Sequence, residues 1–261
     1  MILQENISLL PHNTFGIDSY ARYFMEYNSV SELQEILQSD VFKNNRFLHI
    51  GAGSNILFTS DFDGLILHSK IKGIEVYKET SSEIFLRVGG GEVWDDFVIY
   101  AVNNNYGGIE NLSIIPGEVG ASAVQNIGAY GVEAKDVIEF VETVEVETGL
   151  IVKFTKEECR YSYRESIFKK EKKNKYIVSH VVFRLKKKPV FNIEYGNIAE
   201  QLKNENKIDL QTIRSVVIKI RNEKLPDPKF LGNAGSFFMN PIIPLYQYNA
   251  LKEDYPNMPG Y

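Results

Sequence analysis

Residues 114–131 read Ile114-Ile115-Pro116-Gly117-Glu118-Val119-Gly120-Ala121-Ser122-Ala123-Val124-Gln125-Asn126-Ile127-Gly128-Ala129-Tyr130-Gly131. Seven of these eighteen residues are glycine or alanine, and Glu118 is the only charge. A segment so short of side-chain bulk lets its backbone come close to whatever lies against it. Two occupants meet that condition. One is a neighbouring helix packed tightly on the small residues. The other is a flat ligand read by backbone, with Gln125 and Asn126 supplying amide donors and acceptors.

Two further loops are built the same way. Gly51-Ala52-Gly53-Ser54-Asn55 follows the short apolar strand Arg46–Ile50. Consecutive N–H groups there can form a concave anion site, with a tight β-turn as the alternative. A Rossmann fingerprint needs its glycines to open a helix. Here Ile56-Leu57-Phe58 and Asp61-Phe62-Asp63-Gly64 read instead as a strand and a turn, so a diphosphate held at this loop lies outside a Rossmann domain. Gly89-Gly90-Gly91 is the weakest of the three, because a strand-to-helix connection often needs only turn glycines. A flavin makes both demands at once: a planar ring met by backbone and a pyrophosphate held by N–H groups.

The chain has 261 residues, 44% of them hydrophobic, enough for one large or two modest cores. Mean hydropathy is -0.21, and no apolar run approaches the length of a membrane span. The N-terminus lacks the basic start and apolar stretch of a signal peptide. Cys159 is the single cysteine, which excludes an intrachain disulfide or a cysteine metal cluster and fits a reducing cytoplasm. No metal site is expected. Net charge of -5 argues against nucleic acid. The basic run Lys169-Lys170-Glu171-Lys172-Lys173-Asn174-Lys175 contains a glutamate and no aromatic residue, and reads as a solvated hairpin tip.

Periodicity predicts a helix over Tyr27–Gln38, opened by Ser29 or Ser31, with Leu33, Ile36 and Leu37 on one face. It predicts a second over Val93–Asn103, with Trp94, Phe97, Val98 and Ala101 aligned, and a third over Leu210–Glu223. Leu65–Leu67, Ile84–Val88, Val137–Glu147 and Tyr176–Leu185 read as strands. The chain is therefore α+β, with many short strands and more than one lobe.

Near the end lies Pro226-Asp227-Pro228-Lys229-Phe230-Leu231-Gly232-Asn233-Ala234-Gly235-Ser236-Phe237-Phe238-Met239-Asn240-Pro241. Three prolines and two glycines exclude a regular helix or central strand. A loop of this kind either makes an ordered turn or presents a group, and Ser236 is its reactive candidate.

Taken in order, several motifs resemble the UDP-N-acetylenolpyruvoylglucosamine reductases, flavoenzymes of peptidoglycan precursor synthesis. They are Asn13-Thr14-Phe15, Gly51–Asn55, Ile115-Pro116-Gly117 through Gln125–Gly131, Tyr163-Arg164-Glu165-Ser166, Tyr195-Gly196 and Gly235-Ser236-Phe237-Phe238. Tyr195 makes the chain similar to the type I branch, which closes a tyrosine over the substrate.

The resemblance implies a two-part FAD-binding lobe of the vanillyl-alcohol-oxidase type, at residues 1–70 and 71–218. An incomplete α+β substrate-binding domain would begin at 219 and run to 261. It implies non-covalent FAD, NADPH as co-substrate, a UDP-sugar nucleotide as substrate and a cytoplasmic location. By motif match Ser236 is the proton donor, and Arg164 faces the substrate carboxylate and the enol-like intermediate. Tyr195, Lys224 and Asn240 match positions at the diphosphate. Gly51, Ala52, Gly53, Ser54, Asn55, Gly117, Gly120, Ala121, Gln125, Asn126, Gly128 and Arg221 fall on the flavin side.

Met239 stands where many relatives carry lysine. The resemblance also implies a segment beyond Tyr261 that carries a glutamate acting with Arg164. The 261-residue chain is therefore expected to turn over poorly and to leave apolar surface uncovered around Phe237, Phe238, Ile242 and Ile243. Two other readings stand beside the reductase: a flavin or nucleotide-sugar binding chain without catalysis, and a flavin oxidase with another substrate.

Overall fold

β1 (Leu3–Ser8) and β2 (Tyr20–Tyr27) form an antiparallel pair at the edge of the first sheet. From β2 the chain enters α1 (Val30–Gln38) and α2 (Asp40–Lys43), then β3 (Phe47–Ile50) and β4 (Phe62–Ser69). β4 lies between β2 and β3 and is parallel to both, giving the order β1-β2-β4-β3. A parallel return requires a crossover, which α1 supplies. Its start is set by Ser29, whose hydroxyl accepts from the Glu32 N–H at 3.1 Å, while the Glu32 carboxylate takes the Asn28 N–H at 2.7 Å. Leu33, Ile36 and Leu37 pack on Tyr27, Leu65 and Leu67. The opposite face of the sheet buries Leu9, Phe24, Ile50, Phe58 and Ile66. This computed structural model describes residues 2–195, 197–203 and 205–260.

One expectation fails here. Ile56–Phe58 is irregular, and Phe62–Gly64 belongs to β4 rather than to a turn. Local sequence reads as a turn at Asp61–Gly64, but β2 offers it a ladder through the Ala21–Phe62 pair. Asp61 caps the junction by accepting the Tyr20 N–H at 2.8 Å.

The second sheet is antiparallel throughout. Its strands are β5 (Ile74–Glu79), β6 (Glu83–Gly89), β9 (Ile138–Glu145), β10 (Ile151–Thr155) and β11 (Tyr176–Lys186), in the order β10-β9-β11-β6-β5. Helices α3 (Trp94–Asn103) and α4 (Val119–Gln125) pack on it, and a short hairpin, β7 (Gly128–Ala129) and β8 (Val132–Glu133), follows α4. Trp94, Phe97, Val98 and Ala101 are all buried, and Trp94 and Phe97 stack against Phe183 of β11. The indole N–H of Trp94 donates to the Leu112 carbonyl at 2.8 Å, which satisfies the one polar atom the ring carries inward. The basic run is not a hairpin tip, because β9 separates β10 from β11. It follows a 3-10 turn, Ile167–Lys169, and leads into β11.

After the second sheet come α5 (Ile198–Leu202), α6 (Leu210–Lys224) and α7 (Leu245–Asp254). Ile213, Val216, Val217 and Ile220 of α6 form one cluster with Ile198 and Leu202. The boundary expected at 218/219 falls inside this unbroken helix. Helix α7 buries none of its residues, and Phe238 and Ile242 are 85% and 92% exposed.

The two sheets meet at Gly89-Gly90-Gly91, which form the expected turn, closed by the Glu92 N–H on the Gly89 carbonyl at 3.0 Å. None of the three has a positive φ. Each is glycine because another backbone lies against it. A Cβ on Gly89 would overlap the Ile71 carbonyl, one on Gly91 would overlap that of Ser69, and one on Gly90 would sit 2.9 Å from that of Val178. Hydrogen bonds occupy the same contacts: Gly90 N–H to Ser179 at 2.7 Å, Gly91 N–H to Ile71 at 3.0 Å and Gly120 N–H to Gly90 at 2.8 Å. Gly91→Ala should therefore lower stability by about 2 kcal/mol through overpacking. Urea unfolding measures it, and a loss within about 0.5 kcal/mol, the range of an ordinary surface change, would mean that the junction gives way.

Candidate functional site

Between the lobes runs a cleft formed by two adjoining cavities of about 370 Å³ and about 410 Å³. Ser54, Asn55, Gln125 and Lys169 line both. The smaller cavity lies along Ile50–Ile56, Gly90, Glu118, Gly120 and Ala121, so one wall comes from each sheet. The larger is bounded by Ile114–Pro116, Arg164, Arg221 and residues 225–228 and 233–239, including Ser236.

The small-residue loops meet across this cleft. The loop after β3 takes a left-handed turn at Gly53, whose missing Cβ would overlap the His12 carbonyl. From there Ser54 Oγ donates to the Pro116 carbonyl at 2.9 Å, and Asn55 Nδ2 donates to Gln125 Oε1 at 2.6 Å. Residues 119–125 are helical, and a Cβ on Gly120 would come 3.0 Å from the Gly90 carbonyl. Tight helix packing therefore does explain part of the small-residue run, while its other side still lines the cleft.

Strained backbone borders the same space. Ile114, a β-branched residue, has a φ of 51°, and its N–H is held by Asp95 Oδ1 at 2.6 Å. Asp95 is fixed in turn by a two-pronged pair with Arg214 of α6, at 2.7 and 2.8 Å. Arg164 has a φ of 57°, and its carbonyl accepts from Lys169 Nζ at 2.9 Å. The Ser166 hydroxyl, two residues on, donates to the Val124 carbonyl and seats this turn against α4.

The Ser236 loop is tied to the first lobe. Asn233 N–H donates to the Thr14 carbonyl at 2.8 Å, and Phe15 packs edge-on against Phe237 at 5.2 Å. Gly232 has no room for a side chain against the Phe15 carbonyl. Asn13 shapes the receiving turn through Leu9 and Ile17, with three hydrogen bonds of 2.7 to 3.0 Å. Asn13-Thr14-Phe15 and Gly235–Phe238, far apart in sequence, thus form one contact.

The larger cavity is cationic, with Arg164, Lys169 and Arg221 on its wall against one carboxylate, Asp227. Burial lowers the pKa of Arg221, and Arg164 adds to the effect, although Tyr130 opposes it. Arg221 Nε is buried with no hydrogen-bond partner. A buried donor of this kind calls for an acceptor from a ligand. Burial likewise lowers the pKa of Lys169, against the pull of Glu165 and helped by Arg164.

Of the residues expected at the site, the cleft brings together Gly51, Ala52, Gly53, Ser54, Asn55, Gly120, Ala121, Gln125, Gly128, Arg164, Arg221 and Ser236. Gly117 lies just behind, where a Cβ would stand 3.1 Å from Ser54 Oγ. Asn126 is placed otherwise. It is fully buried at the left-handed end of α4, donating to Ser162 and Glu133 and accepting from the Lys135 N–H, so its amide is used inside the protein. Tyr195, Lys224 and Asn240 do not line either cavity. Gly196 lies outside the described residues. Lys169 was missed because it sits in a basic run, and only the fold shows that Lys169 and Lys173 line the cleft while Lys170 and Lys175 do not.

Two lobes, a backbone-walled cleft and a cationic mouth with an orphaned arginine donor describe a flavoprotein that holds a dinucleotide and works on an anionic substrate. Residues 21–155 match the family model of an FAD binding domain. The chain is 53% identical over 259 residues to the UDP-N-acetylenolpyruvoylglucosamine reductase of Bacteroides fragilis, covering 99% of this chain and 77% of that protein. It is 47% identical to the reductase of the same name from Porphyromonas gingivalis, covering 100% and 78%. The crystal structure of that reductase from Thermus caldophilus superposes with a TM-score of 0.67 at 20% identity, over 92% of this chain and 76% of that one. The chain belongs to the UDP-N-acetylenolpyruvoylglucosamine reductase family. It is an FAD-dependent oxidoreductase, and it forms UDP-N-acetylmuramate from the enolpyruvyl sugar nucleotide in peptidoglycan synthesis.

Asp95→Ala should destabilise the protein by about 3 kcal/mol, because it strands the Arg214 charge and frees the strained Ile114 N–H. Adding Arg214→Met should recover part of the loss in urea unfolding. Equal losses in the single and double variants would mean that the ion pair does not anchor this wall.

Proposed function

We propose that this reductase uses NADPH and works in two half-reactions at the larger cavity, with Ser236 and Arg164 as the acting side chains. The single observation that supports the reading is that Ser236, Arg164 and Arg221 line one cavity continuous with the small-residue cleft. When bound along Gly51–Asn55 and α4, a flavin would supply the redox chemistry, a hydride relay between NADPH and C3 of the enolpyruvyl group.

FAD fits the residues present. Gly51–Asn55 and α4 offer backbone and small side chains on the narrow side, and Arg221 Nε offers a donor on the wide side. Arg164 presents a permanent cation with a planar fork suited to the substrate carboxylate. Its left-handed backbone and the hydrogen bond from Lys169 to its carbonyl set its direction. As hydride reaches C3, electron density develops at C2 and is stabilised by that cation until Ser236 Oγ delivers a proton there. A serine hydroxyl is a weak acid, and Arg164 and Lys169 lower the cost of the charge it leaves behind. Tyr195, Lys224 and Asn240 take the UDP-sugar diphosphate in this proposal. That role requires the segments around 190–195 and 225–240 to close over the cavity.

In the same reading the FAD-binding units are residues 1–70 and 71–218, and residues 219–261 belong to the substrate side. The protein acts in the cytoplasm, supports cell shape and division through its product, and has no nucleic-acid partner. Among the described residues no helix is long and apolar enough to cross a membrane.

NADPH added without oxygen should bleach the flavin, and the enolpyruvyl sugar nucleotide should restore its colour. Ser236→Ala should leave the bleaching rate unchanged and slow the recovery about 10²–10⁴-fold, the usual loss for a missing proton donor. Equal slowing of both steps would remove Ser236 from the proton transfer. Denaturation should also release all flavin into solution, and flavin that stays with the precipitated chain would show covalent attachment.

A further inference from the structure

Three of the four histidines, His12, His49 and His68, gather behind the loop Gly51–Asn55. His68 stands on β4 beside Glu26 of β2 and Ile50 of β3, and it is buried. Its Nδ1 lies 3.0 Å from Glu26 Oε1 and its Nε2 lies 2.8 Å from Glu118 Oε1. Glu26 belongs to the first lobe, whereas Glu118 opens α4 in the second. Lys70 reaches Glu26 at 3.2 Å. The other oxygen of Glu118 faces the cleft, where a Cβ on Gly51 would come 3.2 Å from it.

A carboxylate oxygen only accepts, so both ring nitrogens of His68 must donate, and that describes an imidazolium. The neighbouring histidines are in the opposite position. Burial and the charge of His68 push His49, paired with the Tyr27 hydroxyl at 2.7 Å, down to about 4. Burial and His68 also lower His12, against the pull of Glu26. For Glu26, burial acts to raise the pKa, but Lys70 and His68 outweigh it and the group stays ionised. The cluster of Glu26, Glu118, His68 and Lys70 is then neutral in sum. Loss of the His68 proton leaves one uncompensated negative charge in the wall of the cleft.

We propose that His68 is a positioning residue for the cofactor: as a buried imidazolium it ties Glu26 of one lobe to Glu118 of the other and cancels the Glu118 charge beside a cleft that takes an anionic dinucleotide. The inference rests on the FAD reading of that cleft. Without the proton that bridges Glu26 and Glu118 through His68, the lobes lose a tie and the diphosphate meets a net negative wall. FAD affinity must therefore fall as pH rises.

The test titrates the apoprotein with FAD, followed by flavin fluorescence, at about pH 6 and about pH 8.5, a range that spans histidine titration. The wild type should bind on the order of tenfold more weakly at the higher pH. His68→Gln should bind weakly at both pH values, since Glu118 is left uncompensated. Glu118→Gln should bind tightly at both, and the double variant should recover the tight binding that His68→Gln loses. A merely structural histidine would not be rescued by removing a second hydrogen-bonding partner. A flat wild-type profile, or a double variant no tighter than His68→Gln, would overturn the proposal. If thermal melting shows that His68→Gln does not fold, Glu118→Gln decides alone, and persistence of the alkaline weakening in it refutes the idea. A wild type that takes up no FAD at about pH 6 would refute the FAD reading itself, and this inference with it.

Discussion

Everything at the site depends on how closely three backbones pass at Gly89-Gly90-Gly91. The end of β6, the exit from β4 at Ser69–Ile71 and the start of α4 converge there, with Gly90 at the centre of hydrogen bonds to Ser179 and Gly120. Side chains would hold these segments apart and widen the cleft by the depth of a methyl layer. Because the carbonyls are already used by neighbouring N–H groups, the junction is satisfied as well as tight. It sets the distance between the sheets, and with it the width of the space between Gly51–Asn55 and α4.

The lobes share an apolar cluster, Leu65 and Leu67 with Val144 and Ile177, and polar ties cross the cleft itself. Ser54 to Pro116, Asn55 to Gln125 and His68 to Glu118 all run from the first lobe to the second. The third wall, carrying Ser236, is fastened to the turn at Asn13–Phe15 by one backbone hydrogen bond and an aromatic contact. Strain collects at the positions that face the cavity, Ile114 and Arg164, and each is restrained by a charged neighbour. The surrounding packing supplies the energy that keeps these backbones in sparsely populated conformations. An active site assembled from loops of both lobes can thus keep its polar groups aimed without help from the sheets' own hydrogen bonds.

Residue patterns alone fix a good deal of this protein. The cap at Ser29, the aligned Trp94, Phe97, Val98 and Ala101, and the apolar strands around Leu65–Leu67 and Tyr176–Leu185 are local signals, because propensity, capping and periodicity act over a few residues. The ordered motifs carry the family, and so the flavin chemistry. What only the tertiary structure decided is where side chains of mixed character go. Lys169 and Lys173 line the cleft while Lys170 and Lys175 do not. Asn126 turns away from the cleft to Ser162 and Glu133, which a motif of small residues does not reveal. Gly89–Gly91 form the turn their residues suggest, but nothing nearby in sequence shows that Ser69 and Ile71 press against them. Glu118 looked like a lone charge in a neutral run, and its partner His68, itself paired with Glu26, lies on a strand of the other lobe. The physical reason is common to all four: desolvation, charge pairing and close backbone contact depend on distances in space, which folding sets between residues tens of positions apart.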